Sequence, residues 1–372
     1  MRGPVAFFFL GETLLIPHLY PVVEGLAAQS DLTIDLWVST SVHENLLRAW
    51  TAKLGPAQIR IRRVPGYRVL QGYDDGRNPP LPNKLLMLTR LVPHLIRTPV
   101  VVSAEQTSLW IPTVLPMLRT RFVNILHGAS SMGARDGRRR RAAWRMPVPS
   151  ENEQRTYLDR GYDASYVPVV GYVKSAFQQS HQRRLVFPQA RPIVLYAPHW
   201  QAHRSSWPAW GREIVQQLVA QDRYNVILAP HQRLIEGAPA LRSILEVAAQ
   251  HPHVHSDIDS FAMVDGSYTS AADLYLGDTS SQAVEFMARP RPCVFLNSPA
   301  VEWQQRADYA LWSCGEVIDS LDQLLPALDR APASHPQFAA VQSAFVQGWH
   351  GDTSGAAVGR IVGHILEALE AP

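Results

Sequence analysis

The chain has 372 residues, 46% of them hydrophobic and 18% charged. That composition excludes an intrinsically disordered protein, and the length suits two domains of ordinary size. With 35 Lys plus Arg against 32 Asp plus Glu, the net charge of +3 argues against a dedicated nucleic-acid binder, and two cysteines exclude a disulfide framework or a Cys-rich zinc site.

The predicted elements alternate between short apolar runs and longer amphipathic segments. Residues 5–10 read as a buried strand, bounded by Gly3-Pro4 and Gly11. A helix follows over 14–29 despite Pro17 and Pro21, then a strand over 33–38 and a helix over 42–53. Residues 58–64 alternate apolar and basic side chains, as an exposed strand would, and 67–82 is a loop rich in Gly, Pro, Asn and Asp. A helix over 84–96, a strand over 100–103, a helix over 108–118 and a strand over 122–126 come next, ending at His127-Gly128. Beyond the arginine run 138–141, a short strand is expected at 146–149, a helix at 151–160 and a strand at 167–170. Residues 172–191 read as a linker with a charged helix.

The alternation then restarts. Strands are expected at 193–197, 225–229, 254–255, 274–277 and 293–296. Helices are expected at 210–221, 239–249, 261–270, 281–288, 321–329 and 357–369. Two successive βα arrays predict an α/β protein of two doubly wound Rossmann-like domains facing a cleft. The expected boundaries are 1–175, 190–355 and a closing helix over 356–372. Neither a Walker Gly-Lys-Ser/Thr nor a GxGxxG motif occurs in the second array, so neither a P-loop ATPase nor a nicotinamide dehydrogenase is indicated, and no cofactor is expected.

Four places carry candidate chemistry. In 273–285 a strand ends at Gly277, Asp278 and the hydroxyl residues Thr279, Ser280 and Ser281 follow, and a helix begins. Capping hydroxyls, free amide groups and the helix dipole there suit a phosphate or diphosphate. Glu285, one turn along, is placed to accept from ribose hydroxyls; an ordinary helix cap reads the same way. His127, His199 and His231 each stand just past a predicted strand, where side chains face the crevice of a parallel sheet. His127 suits a general base or an anion contact, or a turn residue that only orders its loop. The pair His199/His203 and the alternating His251, His253 and His255 lack a carboxylate at ligand spacing, so no metal site is expected. Only Lys53, Lys84 and Lys174 are lysines, and the 32 arginines are the planar, bidentate choice for phosphate, although a genome-wide bias produces the same skew. The run 138–141 reads as a solvated loop or as a contact for an anionic acceptor or lipid surface.

These residues resemble the CDP-glycerol glycerophosphotransferases, the teichoic acid glycerophosphotransferase family, which has a GT-B fold. Residues 195–200 are similar to its strand-end Tyr-Ala-Pro-Thr-Trp, with His199 in place of Thr. Residues 226–231 resemble its strand followed by Lys-x-His-Pro, and 278–285 its Asp-Tyr-Ser-Ser-x-x-x-Asp, with Thr279 for Tyr and Glu285 for the last Asp. Gly355, Ala357 and Arg360 match a closing Gly-x-Ala-x-x-Arg, and His127-Gly128 matches a His-Gly pair. The resemblance runs from about residue 122 onward. It implies an inverting transfer with His127 as base. His231, Thr279, Ser280 and Ser281 would contact the donor phosphates, and Glu285 the ribose. Ala229 stands where the family has Lys, and Gln232 where it has Pro, so one phosphate-binding charge is missing unless His199 or Arg204 replaces it. In the first 120 residues, His18-x-x-Pro21 looks like the His-x-x-Pro of nucleotide-sugar GT-B glycosyltransferases; a buried helix position is the alternative for His18.

The expected activity is transfer of glycerol phosphate, or a related polyol phosphate, from a CDP-linked donor to an acceptor hydroxyl in surface-polysaccharide or teichoic-acid-like assembly. An inverting glycosyltransferase using a nucleotide sugar, a nucleotide-sugar 2-epimerase-like enzyme and a binding protein that lost its chemistry are the alternatives. An epimerase would need acid/base carboxylates, for which Glu12, Glu105 and Asp136 are the candidates. The expected partners are a nucleotide-activated donor and a saccharide or lipid-linked acceptor. With no apolar run of spanning length and no signal-like cleavage site, the expected location is cytoplasmic, with room for peripheral membrane contact at the inner face.

Overall fold

The computed structural model describes residues 3–54, 58–73, 77–126, 137–179 and 185–371. It divides into two compact units, Met1–Gln179 with Gly348–Pro372, and Ser180–Gln347. The chain thus re-enters the first unit at residue 348, seven residues before the expected end of the second domain.

The first unit contains β1 (Val5–Phe9), α1 (Ile16–Gln29), β2 (Ile34–Thr40), α2 (Ser41–Thr51), β3 (Ile59–Arg68), α3 (Lys84–Leu95), β4 (Val100–Ser103), α4 (Trp110–Val114), β5 (Arg121–Asn124) and α5 (Glu151–Leu158). Its five strands are parallel, in the order β3-β2-β1-β4-β5. Strands covered on both faces are largely apolar, and β1, β2 and β4 are buried along their length; the charged exception in β2 is Asp35, with which Arg60 and Arg62 of β3 pair. Pro17 sits in the first turn of α1, where no amide is needed, and α1 runs on through the buried Pro21. α4 stops at Val114 rather than 118, because Leu115 precedes Pro116 and leaves the helical region (φ −124°, ψ 65°). The expected strands at 146–149 and 167–170 reduce to one isolated bridge between Val148 and Val169.

The second unit holds β6 (Ile193–Ala197), α6 (Trp207–Ala220), β7 (Asn225–Leu228), α7 (Gln232–Gly237), α8 (Pro239–Ala248), β8 (Val254–Ser256), α9 (Ser267–Ala271), β9 (Leu274–Gly277), α10 (Ser281–Phe286), β10 (Cys293–Leu296), β11 (Glu316–Ile318) and α11 (Leu324–Ser334). α12 (Pro336–His350) leads out of it and α13 (Ala357–Glu370) closes the chain. The six strands are parallel, in the order β11-β10-β9-β6-β7-β8. Counted from β6, this is the doubly wound order 3-2-1-4-5-6, with the switch point between β6 and β9.

Three elements of this half, α7, α12 and β11, were not expected from the sequence. Gln342, Val346 and His350 form the buried stripe of α12 at four-residue spacing, and two of the three are polar. Gln342 explains the burial of polarity: its Nε2 donates to the carbonyls of Arg291 (2.9 Å) and Cys314 (2.8 Å), and its Oε1 accepts from the Arg291 amide (3.0 Å). β11 is a three-residue edge strand. α13 packs on α1 in the first unit, and Gly25 permits the approach, since a Cβ there would lie 2.4 Å from Val358 Cγ1. Among the described residues no helix is long and apolar enough to cross a membrane.

Candidate functional site

The order β9-β6-β7 brings three strand ends together at the carboxyl edge of the second sheet. Ala197 of β6 lies in register with Gly277 of β9, and Tyr196 with Leu228 of β7. The next residues are therefore neighbours: His199-Trp200 after β6, His231 after β7, and Asp278 with the hydroxyl run after β9. Gly277 eases this closeness, because a Cβ there would sit tightly, 3.1 Å from the Ala197 carbonyl and 3.0 Å from Tyr275 Oη.

Asp278 holds the site together. It is fully buried, and its Oδ2 accepts from the His199 amide at 2.8 Å while its Oδ1 accepts from the Ser206 amide at 3.0 Å. One carboxylate thus pins both ends of the loop between β6 and α6. Burial pushes the Asp278 carboxyl up to about 7, against the lowering effect of the two amides. Ser206 Oγ lies 3.0 Å from Tyr196 Oη, which ties the same loop to its own strand.

His199, Trp200 and His231 form a triangle of rings with centroids 5.9 to 6.2 Å apart. His199 Nδ1 accepts from the Gln201 amide (3.1 Å), and His231 Nδ1 accepts from the Arg233 amide (3.2 Å). An accepting Nδ1 leaves the proton on Nε2, so both imidazoles offer an Nε2–H donor. Burial, with Arg204, His203 and Arg233 adding to it, lowers His199 to about 4. Burial, His199 and Arg233 lower His231 to about 3. Both rings are neutral at pH 7, and the positive charge of the cluster belongs to Arg204 and Arg233. The Arg233 guanidinium lies over the Trp200 ring at 4.8 Å.

Ser280 caps α10, accepting from the Gln282 amide at 3.2 Å. Thr279 is 2% exposed, and its Oγ1 has no hydrogen-bond partner among the described residues. Ser281 and Glu285 are partly exposed on the short helix that follows. Beyond β8, the Asp257 amide donates to the Leu228 carbonyl (3.0 Å). The Asp257 carboxylate accepts from the Asp259 and Ser260 amides (3.1 and 2.9 Å) and from the hydroxyls of Ser260 and Tyr268. This orders the loop beside β7. Among the described residues no three of His, Cys, Asp and Glu gather as a metal site.

The second unit therefore brings His199, His231, Thr279, Ser280 and Ser281 to one sheet edge. Sequence reasoning did not assign Trp200, Arg233 or the bracing role of Asp278. Asp278 stood in the quoted motif, and Arg233 follows His231 by two residues, but neither position alone reveals its partner. Other expected residues lie in the first unit. His18 is buried on α1, edge-to-face with Tyr172 at 5.7 Å, and Tyr172 stacks on His350 at 3.9 Å with the rings 4° from parallel. Arg360 donates to the Val170 carbonyl (2.7 Å) and pairs with Asp352 (2.7 Å). Ser354 and Arg360 hold the Asp352 carboxyl down at about 2. His127, and Asp136 with it, lies outside the described residues. The run 138–141 is not uniformly solvated: Arg140 is 9% exposed and donates to Tyr157 Oη at 2.6 Å.

No protein-family model and no curated protein matches the sequence. Solved structures do match it along its length. The S. aureus MnaA–UDP structure aligns with a TM-score of 0.66 at 15% identity, covering 100% of this chain and 97% of that one. The wall teichoic acid polymerase TagF soaked with CDPG gives 0.64 at 12%, covering 100% and 89%. A putative UDP-N-acetylglucosamine 2-epimerase from Listeria monocytogenes gives 0.64 at 13%, covering 100% and 97%. All are GT-B structures, and the chain has that fold.

Proposed function

We propose that the protein is a GT-B transferase that holds a nucleoside-diphosphate-linked donor at the β9-β6-β7 edge. Its activity is then movement of glycerol phosphate, or a related polyol phosphate, from a CDP-linked donor to an acceptor hydroxyl. The observation that carries this reading is the convergence of two neutral histidine donors, a hydroxyl run and two arginines on a doubly wound switch point. Nε2–H of His199 and of His231, with the Thr279, Ser280 and Ser281 hydroxyls, would donate to the diphosphate oxygens. Arg204 and Arg233 would supply the charge that the family's Lys provides where Ala229 stands here. Glu285 is the ribose contact in this reading. His18 and Arg360, engaged in packing and pairing within the first unit, are assigned no donor contact.

In the reaction the acceptor oxygen, deprotonated by His127, attacks the phosphorus that bears the polyol. The bond from that phosphorus to the nucleotide's bridging oxygen breaks, and CMP leaves. Preorganised donors aimed at the leaving phosphate stabilise the charge that develops there. A panel of CDP-glycerol, CDP-ribitol, CMP, and UDP- and GDP-sugars tests the reading by thermal shift and by nucleotide release. CMP release from a CDP-polyol, abolished in His127→Ala with binding kept, is the expected result. Turnover of a UDP- or GDP-sugar with no CDP response refutes it.

The 2-epimerase reading is a second one, because structures of that kind match the chain as well as the polymerase does. Against it, Glu105, one of its acid/base candidates, is already engaged by Lys84, Thr107 Oγ1 (3.0 Å) and Ser108 Oγ (3.0 Å). Conversion of UDP-N-acetylglucosamine to its 2-epimer, read by proton NMR, would establish it.

A further inference from the structure

Charge is distributed unevenly along this nearly neutral chain. Residues 76–150 contain twelve Lys or Arg and two carboxylates, Glu105 and Asp136, whereas the rest contains 23 against 30. The first unit gathers part of this surplus around a cavity of about 450 Å³, a size suited to a small organic ligand. Arg119, Arg121, Arg138 and Arg141 line it, together with Trp144 and Pro112, and no carboxylate is among its described lining residues.

Two of the four arginines are fixed in place. Arg121 donates to the Ala368 carbonyl at 2.9 Å. Arg141 donates to the Arg160 carbonyl at 2.8 Å and lies 4.2 Å over the Tyr162 ring. The other two, Arg119 and Arg138, are exposed, and among the described residues neither is in an ion pair. A bound anion would relieve the repulsion between these two exposed guanidinium groups. The walls between them are apolar: Leu118 and Pro116 join Pro112 and Trp144. Thr120, also in the wall, donates to the Leu95 carbonyl at 3.0 Å, which places the end of α3, with Ile96 71% exposed, next to the cavity. Met117, in the loop that forms one wall, is 80% exposed.

We infer that this cavity binds an organic phosphate ester, with the phosphate held by Arg119 and Arg138 and an apolar or planar body lying against Trp144 and Pro112. Guanidinium groups match phosphate oxygens in pairs, and the two fixed arginines complete the field at no cost in ordering. The site is separate from the strand-edge site of the second unit and does not rest on the activity proposed for it. The same chemistry is offered by a soluble phosphate ester and by a phospholipid headgroup.

Titration calorimetry with inorganic phosphate and with phenyl phosphate, beside co-sedimentation with phosphatidylcholine vesicles containing one-fifth phosphatidic acid, tests the inference. The comparison protein is Arg119→Ser with Arg138→Ser, both exposed positions, with its thermal midpoint checked against the parent. Saturable phenyl phosphate binding, tighter than that of inorganic phosphate and at least tenfold weaker in the double variant, is expected if the source is soluble. Vesicle binding that the double variant loses and phenyl phosphate competes away supports the site with a lipid source. If no probe binds, or the double variant binds all of them like the parent, the inference is wrong. No nucleotide enters this experiment, so its outcome is independent of the donor panel above.

Discussion

Asp278→Asn is the sharpest perturbation of the strand-edge site, because it changes the charge and one donor while keeping the shape. Asn can accept one of the two amides that Asp278 accepts, from His199 or from Ser206, and it turns an NH2 toward the other. One buried amide is then unsatisfied, at a cost of about 1–3 kcal/mol. The pH dependence separates this from a generic defect. In the native state the Asp278 carboxyl titrates near 7 instead of its ordinary 3.8, so between those values the native protein holds a proton that the unfolded chain has lost. Stability contributed by this group is complete below pH 3.8 and falls as pH rises through 7, by roughly 4 kcal/mol in all. The Asn variant has no such term. His199 and His231 titrate in both proteins and drop out of the difference. The parent is therefore expected to be more stable than the variant at pH 4.5, with the gap narrowing by several kcal/mol at pH 8. Urea unfolding at pH 4.5, 6 and 8 measures the gap. Mass-spectrometric hydrogen exchange over 199–206 measures the release of the loop. Unchanged exchange in the loop would refute the bracing role, and a stability gap that is the same at all three pH values would refute the raised titration of Asp278.

Two further outcomes follow from the same geometry. Ser280→Ala removes the cap of α10 and should cost about 1 kcal/mol of stability by denaturant unfolding; adding Ser281→Ala should weaken nucleotide binding more than tenfold, about 1.4 kcal/mol by calorimetry. Because His199 and His231 are held neutral, with values near 4 and 3, donor affinity in Asp278→Asn, which removes the carboxyl that titrates near 7, should stay flat between pH 8 and 6 instead of rising as pH falls through 6.5. Their contribution to stability has the opposite sign to that of Asp278: it is present above 6.5 and lost as pH falls toward 3.

Much of this protein can be read from its sequence because burial leaves a periodic record. Short apolar runs between Gly and Pro mark parallel strands, since a strand covered on both faces is largely apolar, as β1, β6 and β9 are. The same punctuation places His199, His231 and the Thr279-Ser280-Ser281 run just past strand ends, and a parallel sheet exposes those ends. Periodicity reports which side chains are buried but not against what. It missed α12, whose buried stripe includes Gln342 and His350. Arg360, singled out only through the family resemblance, has partners that no pattern foretold: it donates to the Val170 carbonyl and pairs with Asp352. Only the tertiary structure decided that β9 lies beside β6, roughly 80 residues away in the chain. That adjacency turns Asp278 from one letter of a motif into the brace of the His199 loop. A carboxylate's role is set by the amides that reach it, and those come from a strand whose position no local pattern records.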